Sequence, residues 1–272
     1  LVIVGLKTTD NASLAELLRP VVGPETLVLT LQNGLGNEEE IARVLTQIAS
    51  PETSGSPAAE SMGPIGPMDP IGSVDPIGPI PPTIPTTPIP PIPPAARVLG
   101  GVAFVCCNRT EPGVLRHTDH GWIRLAEFSG PARERTHAIA EIFRAAGLTI
   151  EVHDSLAQIR WMKLVWNVPF NGLGVGAGHA TSRMVLEDET LLRVARGLME
   201  EVVAAARADG VAIPPSYVDD MIAATESMGH YKSSMQIDYE AGRPLEVESI
   251  LGEPVRRARR AGVPTPRMEF LY

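Results

Sequence analysis

The sequence is short of three things: cysteine, uninterrupted apolar runs and net positive charge. Its two cysteines, Cys106 and Cys107, are adjacent within an apolar run. That excludes a disulfide framework and makes a reducing cytoplasm the expected compartment. No apolar stretch reaches the roughly 18 residues that cross a bilayer, so no membrane association is expected. With 23 Lys and Arg against 32 Asp and Glu, the formal charge is −9. That argues against a general nucleic-acid or anionic-membrane binder, while a local basic pocket for a phosphate stays possible. His117 and His120 lie near the cysteines at no zinc-site spacing, so no metal site is expected. The chain begins on Leu1-Val-Ile-Val-Gly5 with no initiator Met and no signal-peptide pattern, and stops at Glu269-Phe-Leu-Tyr272 where a helical pattern starts. These ends predict a fragment. At 272 residues, 44% hydrophobic and mean hydropathy +0.06, a soluble globular protein of about two domains fits.

What is present first alternates short apolar runs with amphipathic ones. Leu1 to Gly5 is rich in β-branched residues, as a buried parallel strand is. Thr9 or Asp10 can cap a helix through about Arg19, which Pro20 and Gly23-Pro24 end. Thr26 to Leu31 reads as a second strand, left by the turn Gln32-Asn-Gly-Leu-Gly36. Asn37 can then cap a helix from Glu38 to about Gln47. Such alternation is the grammar of a doubly wound α/β domain, where ligands bind at the carboxyl ends of the strands. Lys7 and Asn33 stand at two of those ends. Gly34 and Gly36 permit close backbone approach or a positive φ. A solvated lysine and an ordinary Asn-Gly turn are the plainer alternatives.

Ser50 to about Ala96 is different material. Fifteen of the chain's 26 prolines lie there, with four carboxylates and no Lys or Arg, and Pro-Ile-Gly recurs at 64, 70 and 76. Such a segment cannot build helix or sheet ladders, which predicts a polyproline-like or disordered insertion. It is either a tolerated low-complexity loop or a ligand for a proline-recognising partner.

Beyond it, Val98 to Cys107 reads as a strand and Gly113 to Leu125 as a hairpin turning at about Asp119-His-Gly121. Pro131 to Ala146 reads as a helix and Leu148 to Val152 as a strand. From Asp154 the pattern is helical: Ser155 to Phe170, Asp188 to Ala208, Ser216 to Met228, and Leu245 to Ala261, the last broken or restarted at Pro254. The chain therefore divides into a sheet-containing part, 1–153, and an all-helical part, 154–272. The cleft between two such domains is a common ligand site.

Within Trp161-Met-Lys-Leu-Val-Trp-Asn-Val-Pro-Phe-Asn171, the polar residues Lys163, Asn167 and Asn171 recur every four positions. On a helix they drift only about 80° in total, so they share one face. A cation and two carboxamides aimed together can hold a small anionic carbonyl compound, although the same spacing also describes a stripe facing water. Pro169 inside the run should break or kink the helix. In Ser233 to Glu248, Ser234 and Glu246 can reach a site, or can serve as a helix cap and a first-turn carboxylate.

Together these pieces resemble the ketopantoate reductase (2-dehydropantoate 2-reductase) family over nearly all of the chain outside the proline-rich insertion. The resemblance is carried by Lys7, Gln32-Asn-Gly-Leu-Gly36, Pro112-Gly-Val-Leu-Arg-His117, Trp161 to Asn167, Asn171, Ser233-Ser-Met-Gln-Ile-Asp238 and Gly242 to Glu248. It implies a partial Rossmann-like domain followed by a helical substrate domain. The implied reaction is NADPH-dependent reduction of a 2-oxo acid to a 2-hydroxy acid on the way to pantothenate, in a possible homodimer. By the same resemblance Lys163 is the general acid and Asn167, Asn171, Ser234 and Glu246 bind substrate. Asn33 lies between nicotinamide and substrate, and Lys7 contacts the cofactor. Three features depart from the family. The first βαβ unit and its Gly-x-Gly-x-x-Gly turn have no counterpart here, which predicts weak NADPH binding by this stretch alone. Val175 to Met184 lacks a further asparagine, with Thr181 near its place. The insertion itself has no family equivalent. A reductase of another 2-oxo acid, or an inactive fragment or binding module, are the competing expectations.

Overall fold

The computed structural model describes residues 1–50, 92–111 and 113–272, with the backbone alone at 108–110 and 118–120. The expected polyproline-like conformation of the insertion therefore falls almost wholly outside the described residues.

Five strands form one sheet in chain order: β1 (Val2–Val4), β2 (Val28–Thr30), β3 (Val98–Glu111), β4 (Val114–Glu127) and β5 (Thr149–Val152). β1, β2 and β3 pair in parallel, β3 and β4 antiparallel, and β4 and β5 in parallel. The parallel pairs are joined by crossovers that carry helices, as parallel pairing requires. α1 (Leu14–Leu18) follows a 3₁₀ turn at Thr8–Ser13, α2 (Asn37–Ala49) leaves β2, and α3 (Glu134–Ala145) joins β4 to β5. Leu14, Leu18, Ile41, Val44 and Leu45 of α1 and α2 bury against Val4, Val28 and Val98. α3 packs Ile139 and Ala140 with Leu29, Leu99, Leu125 and Ile150.

The hairpin turns elsewhere than Asp119-His-Gly121. β3 and β4 are fourteen residues each, and their pairing runs out to Glu111 opposite Val114. At the expected turn the ladder has a bulge instead: Phe104 faces Trp122 while Val105 faces His120, leaving Gly121, with φ +133°, as the extra residue. A glycine with positive φ serves a bulge as readily as a turn, so the local signal was read correctly and given the wrong role.

The remainder is helical: α4 (Leu156–Gly176), α5 (Ser182–Glu187), α6 (Glu189–Ala208), α7 (Tyr217–Glu226), α8 (Ser234–Glu240), α9 (Glu253–Arg260) and α10 (Pro266–Leu271). Ser155 caps α4 by accepting from the N–H of Gln158. α4 does not end near Phe170. It continues through Pro169 to Gly176, because Leu164, Val165, Val168, Phe170 and Leu173 are buried against α6 and their neighbours. Packing on this scale outweighs the roughly 3 kcal/mol that an interior proline costs. Pro254 behaves as expected: a π-helical turn at Glu248–Gly252 ends and α9 restarts with the proline in its first turn. Among the described residues no helix is long and apolar enough to cross a membrane.

Candidate active site

The site assembles where the carboxyl ends of β1 and β2 meet α4 and the segment before the π-helical turn. Lys163 projects from α4, partly buried. Its ammonium donates to Oδ1 of Asn33 at 2.9 Å and to the Ala103 carbonyl of β3 at 2.7 Å, and lies 5.4 Å from the centre of the Phe104 ring. Asn33 in turn donates through Nδ2 to Oε2 of Glu246 at 3.3 Å. One carboxamide thus bridges a cation and a carboxylate that are distant in sequence. Glu246 is 3% exposed, and its Oε1 accepts from the backbone N–H and hydroxyl of Thr8 at 3.1 and 3.2 Å.

Burial pushes the Lys163 ammonium down to about 7, with the Arg160 guanidinium acting in the same direction and the Glu246 carboxylate opposing it. Arg160 is itself buried and paired with Glu38 at 2.5 Å, and it donates to the Gln32 carbonyl. It therefore holds the turn that carries Asn33. An amine poised near neutrality can give up or take a proton at working pH.

Further along α4, Asn167 is buried, and its carbonyl accepts from Nδ2 of Asn171 at 2.9 Å. Oδ1 of Asn171 accepts from the Met235 N–H at 3.0 Å and the Ser234 hydroxyl at 3.4 Å. The two asparagines and Ser234 thus form a second cluster along the same helix as Lys163. Lys7 stands at the end of β1 and pairs with buried Asp238 of α8, which also accepts from Arg243 at 2.8 Å.

The turn after β2 is shaped by its glycines. Gly34 has φ +81°, and a Cβ there would lie 2.7 Å from the Ser249 Cβ and closer still to its carbonyl oxygen. That carbonyl accepts from the Leu35 N–H at 2.9 Å, so the turn docks directly on the π-helical segment. Gly36, with φ +90°, precedes α2. Asn37 is accordingly the first helical residue rather than the cap, and its amide donates to the Asn33 carbonyl at 2.8 Å. Beside Glu246 a cavity of about 450 Å³ is lined by Thr8, Asn11, Asn37, Leu245 and Ser249, a volume suited to a small ligand.

The seven residues expected from the sequence fall into three groups: Lys163 with Asn33 and Glu246, Asn167 with Asn171 and Ser234, and Lys7 apart from both, paired with Asp238. Four further participants were not foreseen: Thr8, Arg160, Asp238 and Ser249. Thr8 and Glu246 are 238 positions apart, so no periodicity in the sequence relates them.

The donor set suits one end of a nicotinamide dinucleotide. A lysine and an amide lie at the carboxyl ends of parallel strands, where such cofactors bind. A Gly-x-Gly-x-x-Gly turn for the pyrophosphate does not occur in the 272 residues.

Comparison with known proteins identifies the family of the chain. Residues 1–56 match the family model "Ketopantoate reductase PanE/ApbA", and residues 155–272 match "Ketopantoate reductase PanE/ApbA C terminal". A 2-dehydropantoate 2-reductase of Nostoc is 35% identical over 276 residues, covering 100% of this chain and 71% of that protein. The crystal structure of the 2-dehydropantoate 2-reductase of Geobacter metallireducens is 38% identical with TM-score 0.78, covering 99% of this chain and 74% of that one. A D-mandelate dehydrogenase solved with NADH and anilino(oxo)acetate shares the fold at 18% identity and TM-score 0.72, over 99% of this chain and 72% of that one. The chain belongs to the ketopantoate reductase family.

Proposed function

We propose that this protein reduces 2-dehydropantoate to pantoate with NADPH, in pantothenate synthesis. The observation that carries this is the Lys163–Asn33–Glu246 chain of hydrogen bonds: a partly buried amine with a lowered pKa, bridged by an amide to a buried carboxylate. Lys163 protonates the carbonyl oxygen as negative charge develops there, and its position beside Phe104 keeps that charge in a medium of low dielectric. A bound nicotinamide cofactor supplies the hydride, with Lys7 and Asn33 placed to hold it. Glu246 can only accept, so it suits a substrate hydroxyl, while the Asn167, Asn171 and Ser234 amides and hydroxyl orient the rest of the molecule.

One feature favours a second reading, the reduction of a different 2-oxo acid. Thr181, near where the family often has another asparagine, is occupied in capping α5 and in a 3.1 Å contact with Nδ1 of His230. Substrate choice is set by side chains such as these.

The test is NADPH oxidation by the protein expressed from its complete gene, with 2-dehydropantoate beside pyruvate and 2-oxoisovalerate and with Lys163→Ala as control. Turnover favouring 2-dehydropantoate and lost in the variant supports the assignment. Preference for another 2-oxo acid keeps the chemistry and changes the substrate. A folded, NADPH-binding protein with no turnover sinks the reductase assignment.

A further inference from the structure

Deepening the reductase function above, and resting on it, the geometry points to Thr8 as a positioning residue that fixes which way the Glu246 carboxylate faces and so sets the preference for a hydroxyl-bearing 2-oxo acid. Thr8 begins the 3₁₀ turn that leaves β1, where a backbone N–H has no partner within the turn. That N–H donates to Oε1 of Glu246 at 3.1 Å, and the Thr8 hydroxyl donates to the same oxygen at 3.2 Å. The hydroxyl is itself seated against Oγ of Ser249 at 3.0 Å. Either hydroxyl can donate in that contact, and Ser249 also reaches the Glu246 carbonyl at 3.4 Å; when Ser249 donates to Thr8, the one Thr8 hydroxyl proton is left for the carboxylate.

The consequence is an asymmetric carboxylate. Oε1 is taken by both donors of Thr8, whereas among the described residues Oε2 receives the Asn33 amide alone, at 3.3 Å. Each carboxylate oxygen has two lone pairs, so Oε2 keeps capacity for one more donor on the side of Asn33 and Lys163. A substrate with a hydroxyl near its 2-oxo group places that donor there. One lacking the hydroxyl gains nothing from the arrangement. Without the hydroxyl, Oε1 keeps the Thr8 N–H alone, and a carboxylate held there by one donor in place of two would turn.

The experiment compares Thr8→Val, which removes the hydroxyl at nearly constant volume, with Thr8→Ser, which restores it. KM and kcat are measured for 2-dehydropantoate and for 2-oxoisovalerate, which has no hydroxyl. Thr8→Val is expected to raise KM for 2-dehydropantoate about five- to tenfold with kcat changed less than twofold. KM for 2-oxoisovalerate should stay within twofold, and Thr8→Ser should recover the wild-type values. Equal losses on both substrates, or no loss on either, overturn the proposal.

A second readout does not depend on turnover. The carboxyl carbon resonance of Glu246, identified by its disappearance in Glu246→Gln, should move in Thr8→Val and return in Thr8→Ser. If it stays in place the hydroxyl does not hold the carboxylate, and the proposal fails whatever the enzyme reduces. If it moves while the wild-type protein leaves 2-dehydropantoate unreduced, the contact stands and the substrate assignment fails, taking the selectivity claim with it.

Discussion

The Lys163 ammonium lies 2.9 Å from Oδ1 of Asn33, a residue 130 positions earlier in the chain, and that amide passes the interaction on to Glu246. Lys163 is thereby fixed against the turn that follows β2, and its placement depends on the sheet and on α4 together.

Replacing Lys163 by alanine should lower kcat for 2-dehydropantoate by roughly 10²–10⁴-fold, the usual contribution of a placed general acid. Lys163→Arg should not restore it, because a guanidinium holds its proton too tightly and has a different shape. Steady-state NADPH oxidation decides this, and a Lys163→Ala enzyme within threefold of wild type would exclude the role.

The lowered pKa of Lys163 gives a pH dependence of definite sign. Reduction needs the protonated amine, so kcat/KM should be level below about 7 and fall as pH rises above it. Oxidation of pantoate needs the neutral amine and should show the opposite trend. For folding, the native state binds fewer protons than the unfolded chain between about 7 and the ordinary 10.5, so this group's contribution makes stability rise with pH across that window. A reduction profile flat to pH 9 would remove the basis for this assignment.

Arg160 has a structural and an electrostatic role that a pair of substitutions can separate. Arg160→Met leaves Glu38 buried without its cation, which should cost about 3–5 kcal/mol. Glu38→Gln in the same chain should recover much of that. Losing the guanidinium also removes a cause that lowers Lys163, so the inflection of the pH profile should move upward in the double variant. Denaturant unfolding and the pH profile read the two effects independently, and an unmoved inflection would rule out the electrostatic one.

Asn171 supports the fold as well as the site. In Asn171→Ala the buried Met235 N–H loses its acceptor, with an expected cost of about 1–3 kcal/mol. Asn171→Asp keeps that acceptor but sets a buried carboxylate oxygen against the Asn167 carbonyl, so it should lose more stability than Asn171→Ala and also weaken binding of an anionic substrate. Thermal melting of the two variants, read beside KM, distinguishes them. An Asn171→Ala protein that melts with the wild type would mean that the Met235 contact contributes little.

Much of this was visible in the residues alone. Lys163, Asn167 and Asn171 recur at helical spacing, and α4 carries them as that spacing requires. Gly34 and Gly36 announced positive φ in the turn after β2, and both have it. Pro254 announced the restart of a helix, and α9 begins there. Each of these is a local matter of backbone sterics or of side-chain period, which a short window of sequence contains.

The helix end near Phe170 and the turn at Gly121 were misplaced for the complementary reason. A proline's local cost was outweighed by packing of α4 on residues from α6 onward, and a turn-forming glycine was absorbed into a long ladder by partners on the other strand. The same limit separates the two halves of the site. The sequence by itself determined the helix face with its amine and amides, and the lysine and asparagine at two strand ends. Only the tertiary structure decided that Thr8, Asn33 and Glu246 meet, that Arg160 is buried beside Lys163, and that the amine is thereby brought near neutrality. Desolvation depends on what lies within a few ångströms in space, and here that is set by contacts distant in sequence, Lys163 with Ala103 and Asn33 and Arg160 with Glu38, although Arg160 itself is only three positions from Lys163 on α4.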